Sequence, residues 1–203
     1  MSLRPRHALA AVALVLSACS VLPKAVSPDI YLLPAAPVAA SPTTTARLDW
    51  SLRVDTPQAG RAIDSTRIAV VPSGDVITVY EGARWSDRAP VLLRNRLLDA
   101  FRADGRFTAV SSDDANLFAD VELTGDLLAF QTNYENGSPV VVIRYDAQLV
   151  QVRTQKILAT HRFDIRQPVV GKEVPQVVAA FGQASDQLAA QTIGWISTLH
   201  PGG

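Results

Sequence analysis

The chain has 203 residues, of which 48% are hydrophobic, with 19 basic and 19 acidic side chains. This length fits one ordinary domain with a tail, and the hydrophobic fraction is enough for a sizeable core. The balanced charge argues against a nucleic-acid-binding protein, which needs concentrated positive charge to displace counterions from phosphates. Because there is a single cysteine, stability must come from packing and not from an internal disulfide.

Residues 1–18 are typical of a lipoprotein signal peptide. Arg4 and Arg6 give a basic start, a short run of Ala, Val and Leu follows, and small residues precede Cys19. The apolar run is too short to span a bilayer, which needs about 20 residues. Cleavage before Cys19 would expose a thiol for a thioether-linked diacylglycerol, so the sequence predicts a lipid anchor. The alternative is an ordinary secretory signal followed by a coincidental cysteine.

Residues 19–46 are predicted to form a tether, because they are rich in Pro, Ala, Ser and Thr. One apolar island, residues 29–34, interrupts this composition. Its side chains Tyr31, Leu32 and Leu33 are too apolar for a free linker. We expect the island to dock on the chain's own domain or, as the alternative, on a partner protein.

A single domain is predicted for residues 47–203. It begins with a short strand at 52–54. Two strands at 66–71 and 75–80 follow, joined by a Pro-Ser-Gly sequence that has the residues of a tight hairpin turn.

The hydrophobic period then changes from two residues to 3.6. A helix is predicted after Ser86 or Asp87, either of which can cap it, because apolar residues recur at helical spacing as far as Phe101. Gly105 is expected to end this helix. A short strand is predicted at 107–110.

Three further strands are predicted at 117–127, 140–152 and 157–165, and the first two alternate between apolar and polar positions. An apolar stripe of helical period predicts a final helix at 174–197. A sheet with one solvent-exposed face, together with two amphipathic helices, favours an α/β fold. We expect a two-layer sandwich whose antiparallel or mixed sheet has two long helices packed on one face.

Residue patterns typical of enzymes are not visible in the sequence. Asp120, Glu122 and Asp126 line one strand face, and paired carboxylates can do acid-base work, but a solvated sheet face is the simpler interpretation. The histidines are too scattered for a metal cluster or a histidine-based relay, and the nucleophile-elbow, phosphate-loop and paired-cysteine patterns are absent. We therefore expect no enzymatic activity, no catalytic residue, no cofactor and no metal.

The pair Arg84 and Trp85, just before the first helix, has two interpretations. A Trp at this place can plug the core, with its neighbouring Arg stacked on a ring or paired with a carboxylate. Alternatively, the two residues form a subunit contact, since Trp and Arg are enriched among interface anchors.

Several short sequence motifs resemble those of the ABC-type transport auxiliary lipoprotein family, whose best-known branch is PqiC-like. They are the small residues ending at Cys19, the island at 31–34, the stretch 65–69 and, most specifically, the stretch 79–90 with its Arg-Trp pair. The resemblance covers nearly the whole chain. Glu81 departs from the family pattern, because relatives often carry a second aromatic residue there.

This resemblance implies a periplasm-facing lipoprotein without catalytic activity. It implies partners, namely an ABC transporter permease and a substrate-binding protein of the Mce type, and a role in moving lipid between the two membranes. A homo-oligomeric ring that surrounds or caps the partner is a further expectation. Ser20 follows Cys19, whereas an Asp there usually retains lipoproteins in the inner membrane of enteric bacteria, so we expect the outer membrane.

Two other functions fit a lipoprotein of this composition. The first is an autonomous carrier that binds a lipid or another hydrophobic ligand in a groove between sheet and helices. The second is a structural envelope lipoprotein that binds a surface polymer, although no basic, aromatic-rich face is visible in the sequence to support it.

Overall fold

The computed structural model describes residues 27–36 and 47–199. These residues form nine strands and two α-helices, and all the strands belong to one mixed sheet. The strands are β1 Asp29–Tyr31, β2 Leu52–Val54, β3 Gln58–Ala59, β4 Arg67–Ser73, β5 Val76–Trp85, β6 Val110–Ser112, β7 Val121–Glu135, β8 Ser138–Gln151 and β9 Lys156–Pro168. The helices are α1 Ala89–Asp104 and α2 Val174–Ser197. The predicted α/β fold with a mixed sheet and two helices is confirmed.

Strand β7 is the centre of the sheet. Along one edge it pairs antiparallel with β8, which in turn pairs antiparallel with β9. Its other edge is shared by β2, β3 and β4, all of which run parallel to it. Beyond these, β6 pairs with β2, β5 pairs with β4, and β1 pairs with β5.

The hairpin of β7 and β8 follows directly from its sequence. Asn136 and Gly137 both have positive φ, 51° and 77°, as a tight two-residue hairpin turn requires. In β8 the apolar positions predicted to share a face are all buried; they are Val141, Ile143, Tyr145, Ala147 and Leu149. This strand therefore confirms its period-two pattern.

Strand β7 differs from its prediction at both ends. Leu117 is 59% exposed and lies before the strand, which starts at Val121 and continues to Glu135. A bulge between Leu127 and Ala129 shifts the phase of the alternation, so the fully buried residues after it are Phe130 and Thr132.

The strand after the first helix is also displaced. It lies at Val110–Ser112, not at 107–110, and Phe107 instead forms an isolated parallel bridge with Leu48.

The helices begin and end at recognisable signals. Helix α1 has Arg88 at its N-cap position, so neither Ser86 nor Asp87 occupies that position, and Gly105 ends it with φ 73°. Helix α2 has its predicted bounds, and a reciprocal capping box of Glu173 and Gln176 closes its N-terminus. Neither of these helices is long and apolar enough to cross a membrane.

One hydrophobic core lies between the sheet and the two helices. Its largest fully buried side chains come from every layer; they are Trp85, Tyr145, Phe101, Phe130, Phe163 and Phe181. Full burial of such side chains is the main source of stability in a domain without disulfides.

Asp120 fixes the register of β2 on β7. Its carboxylate accepts the Ser51 backbone N–H and the Ser51 hydroxyl, both at 2.7 Å, while the Asp120 N–H donates to the Ser51 Oγ at 3.0 Å. The donation from the Ser51 N–H and hydroxyl lowers the pKa of Asp120 below its usual value.

We predict that Asp120→Asn lowers the free energy of unfolding at neutral pH by about 1 kcal/mol, because a carboxylate accepts hydrogen bonds more strongly than an amide. An acid with a lowered folded pKa stabilises the fold above its unfolded pKa, and this contribution disappears as pH falls through the folded pKa. The difference between variant and wild type should therefore shrink in acid. Urea unfolding from neutral pH down to acid below the folded pKa of Asp120 measures the difference in free energy of unfolding. Asp126→Asn, at an exposed residue, is the control. A pH-independent difference would contradict the prediction.

Candidate functional site

Residues 27–36, called the strap here, lie on the surface of the domain. Its strand β1 pairs parallel with the end of β5, with Ile30 opposite Arg84 and Tyr31 opposite Trp85. The Ser86 N–H also donates to the Tyr31 carbonyl at 2.9 Å.

The strap has an inner and an outer side. Tyr31 and Leu33 are half-buried and pack against the core, whereas Ile30 and Leu32 are 71% and 74% exposed. The apolar island of the tether thus lies on the chain's own domain, and two large apolar side chains remain available for contact. Cys19, the predicted lipid attachment residue, lies outside the described residues.

The strap then crosses helix α2 at a glycine. A Cβ on Gly182 would lie 2.8 Å from the Pro34 carbonyl oxygen and 3.0 Å from the Pro34 Cβ, so a larger residue does not fit without movement. Beyond the crossing, the Ala36 N–H donates to the Asp186 Oδ2 at 2.9 Å. Asp186 also pairs with the buried guanidinium of Arg96 from α1, so one carboxylate joins both helices to the strap.

Trp85 lies beneath the strap and is 2% exposed. Its ring packs edge-on against Phe181 of α2 and Phe130 of β7, with centroid distances of 5.2 Å and 6.1 Å. The indole N–H is buried without an acceptor among the described residues, a cost of about 1–3 kcal/mol that the packing must exceed. The structure therefore places Trp85 in the core.

Arg84, its neighbour in β5, is exposed. Successive strand residues point to opposite faces of a sheet, and this separates the pair. Among the predicted interface residues, Leu32 and Arg84 are on the surface, Tyr31 and Leu33 are partly covered, and Trp85 is buried.

Two of the three acidic side chains at 120–126 make structural contacts. Asp120 is held by Ser51, Glu122 pairs with Arg53, and Asp126 is exposed. Burial raises the pKa of Glu122, the nearby Asp55 raises it further, and Arg53 acts in the opposite direction. In residues 27–36 and 47–199, no group of three or more His, Cys, Asp or Glu side chains is placed to hold a metal ion.

A groove of about 410 Å³ runs between the two helices. It is lined by both helices together with Ala36 and Arg106, and by no sheet residue.

His161, which lies in the strand predicted at 157–165, packs against the rings of Phe163 and Trp195, with centroid distances of 4.4 Å and 5.6 Å.

Sequence reasoning missed the residues that hold the strap on α2, Gly182 and Asp186. One signal was present, because a glycine within a helical pattern disfavours the helix and can mark a close packing contact. No signal in the sequence identifies Asp186, since its partners lie on α1 and in the strap.

Residues 31–192 match the model of a family described as ABC-type transport auxiliary lipoprotein component. The matched range begins inside the strap and ends in α2. It therefore includes strands β2 to β9, the whole of α1 and most of α2.

Solved structures are similar over most of the chain. The crystal structure of protein XCC0632 from Xanthomonas campestris has 29% sequence identity and a TM-score of 0.77, covering 84% of this chain and 95% of that one. A crystal structure of an uncharacterized protein shares the fold with a TM-score of 0.66 at 16% identity, covering 84% and 99% of the two chains.

Among curated sequences, the uncharacterized protein bll6063 of Bradyrhizobium diazoefficiens is 28% identical over 149 residues, which is 73% of this chain. The chain spans only 40% of the length of that relative.

We predict that Trp85→Ala lowers the free energy of unfolding by about 3–5 kcal/mol, because it empties a packed aromatic cluster. Arg84→Ala, a change at the adjacent exposed residue, should stay within about 0.5 kcal/mol of wild type. Chemical denaturation measures both. Equal losses for the two variants would contradict the separation of the pair into core and surface.

A second prediction concerns the crossing of strap and helix. Gly194→Ala should stabilise the protein by about 0.5–1 kcal/mol, since alanine favours the helix and nothing lies within 4 Å of its Cβ. Gly182→Ala has the same helical advantage, but its methyl group should displace Pro34 and accelerate amide hydrogen exchange in residues 29–36. Unchanged exchange in both variants would show that the strap does not depend on Gly182.

Proposed function

The chain belongs to the family of ABC-type transport auxiliary lipoprotein components, and from this premise we propose that it is a non-enzymatic accessory of an intermembrane lipid transport system. Its partners in this proposal are an ABC transporter permease and an Mce-type substrate-binding protein. The family match over residues 31–192 is the observation that carries the proposal.

The proposed protein is anchored through a lipid on Cys19 and faces the periplasm, with the outer membrane favoured because Ser20 follows the cysteine. The docked strap supports a short connection between anchor and domain. Asp29 follows Cys19 by ten residues, which span at most about 35 Å. An accessory held so close to the membrane presents a fixed side of its domain to partners in the periplasm.

The absence of catalysis belongs to the same proposal. Two of the three acidic side chains that could do acid-base work are engaged in structural contacts, with Asp120 on Ser51 and Glu122 on Arg53. The domain thus offers binding surfaces to a transport assembly.

The groove between α1 and α2 favours a second candidate, an autonomous carrier of a hydrophobic ligand, because its volume of about 410 Å³ falls within the range of ligand sites. Against a carrier that binds between sheet and helices, aromatic side chains fill that interface; they are Trp85, Phe130, Phe163 and Phe181. We therefore favour the accessory role.

Affinity capture of the tagged, full-length protein from cross-linked envelopes tests the choice. We expect the capture to recover a permease and an Mce-type protein. The purified protein should carry little lipid beyond its anchor, and light scattering of the purified protein should report a homo-oligomer. Capture of neither partner, together with about one lipid molecule per chain, would favour the carrier. A different envelope lipoprotein used as bait gives the background.

The anchor has a separate test. Labelled palmitate should be incorporated into the wild-type protein and lost completely from Cys19→Ser, because the thioether requires sulfur. Incorporation that survives the substitution would contradict a lipid on Cys19.

A further inference from the structure

The outer face of β1, β5 and β4 carries a row of exposed side chains. Ile30 lies opposite Arg84, and Arg84 lies opposite Arg67, in the register of the sheet. All three are exposed. Directly opposed residues project from the same face, so the two arginines stand side by side.

Two like charges in this arrangement destabilise a sheet unless something compensates them. Within the described part of the chain, the ion pairs involve other arginines and none reaches Arg67 or Arg84. Glu81, exposed three residues before Arg84, pairs with neither. The positive charge of this face is therefore complementary to an external anion.

A concavity of about 330 Å³ beside Arg67 can receive that anion. Its lining includes Arg61, Ser65, Arg67 and Thr78, so it offers two guanidinium groups and two hydroxyls. Arg61 is exposed, and none of the ion pairs among the described residues involves it. Planar guanidinium groups are the side chains best suited to phosphate oxygens.

Exposed apolar side chains border these arginines. Ile30 and Leu32 project from the strap, and Ile77, which is 40% exposed, also lines the concavity. A soluble anion needs no apolar neighbours, whereas a surface that combines cationic and apolar side chains suits the boundary between lipid headgroups and acyl chains.

We propose that this face, called the arginine face and made of Ile30, Arg61, Arg67, Ile77 and Arg84, docks the domain on a surface of anionic phospholipid, with a headgroup phosphate in the concavity. The chain itself favours a membrane surface, because β1 begins only ten residues after Cys19. A coil of that length has a typical span of about 18 Å, so the strap lies near the headgroups. This inference rests on the lipid anchor proposed above.

Hydrogen exchange of the lipidated, full-length protein tests the docking. The protein is reconstituted in vesicles of phosphatidylcholine alone and of phosphatidylcholine mixed with phosphatidylglycerol. Peptides covering residues 29–32, 61–67 and 76–84 should exchange at least about fivefold more slowly on the anionic vesicles, the factor expected if one of the three arginines lies at the charged surface. Equal exchange on both vesicles overturns the proposal.

Membrane attachment through the lipid on Cys19 is measured separately, by flotation of the protein with neutral vesicles. Protein that fails to float contradicts the anchor on Cys19, while protein that floats without charge-dependent protection contradicts only the arginine face. The two failures are therefore distinguishable.

A paired substitution gives the residue-level test. Arg67→Glu with Arg84→Glu should abolish the additional protection on anionic vesicles. Arg153→Glu, which reverses one exposed arginine in the turn between β8 and β9 and makes half of that charge change, should leave the protection intact. If charge reversal impairs folding, Arg67→Gln with Arg84→Gln is the milder pair of substitutions. If the paired variants keep the protection but lose their protein partners, the face binds an acidic protein and the proposal is wrong.

Discussion

The hydrogen-bonding edges of strand β7 are the constraint on which the sheet depends. A strand of fifteen residues presents two long rows of backbone donors and acceptors, and each buried group needs a partner. Strand β8 satisfies one row almost completely, because a two-residue turn returns the chain beside it. The other row is satisfied in pieces by β2, β3 and β4, which come from earlier in the chain. The β4–β5 hairpin, and with it the strap, is positioned only because β4 occupies the last of these pieces.

The sequence predicted best the elements whose packing has a single period. Helix α2 and strand β8 each bury one uninterrupted apolar stripe against the core. The spacing of the apolar residues, 3.6 in the helix and two in the strand, indicates this stripe directly. Prediction failed where the local chain departs from regularity. Leu117 continues the alternation of β7 but lies in an exposed segment before it, and the bulge after Leu127 hides the second half of the strand. In physical terms, periodicity reports which side chains are apolar and not where backbone pairing starts or stops.

The strap shows a different limit of sequence reasoning. Its apolar composition indicates that Tyr31 and Leu33 need a surface to cover, yet the elements on which the strap lies, β5 and α2, come many residues further along the chain. The inward or outward direction of each side chain depends on register with β5, and one residue of slip would exchange the two sets. Composition therefore predicted that the island docks, while only the fold separates the core residue Trp85 from the surface residue Arg84.

The parallel orientation of β1 on β5 has a mechanical consequence. If the chain before residue 27 is pulled along the axis of β1, the two strands have to slide past each other. The hydrogen bonds between the two strands are then loaded in shear and have to break together, whereas a pull across the strand would open them one at a time. Force must also drag Pro34 past the close contact at Gly182 before the strap can slide. Tension applied along β1 would thus be carried by the strap and pass into the sheet through β5.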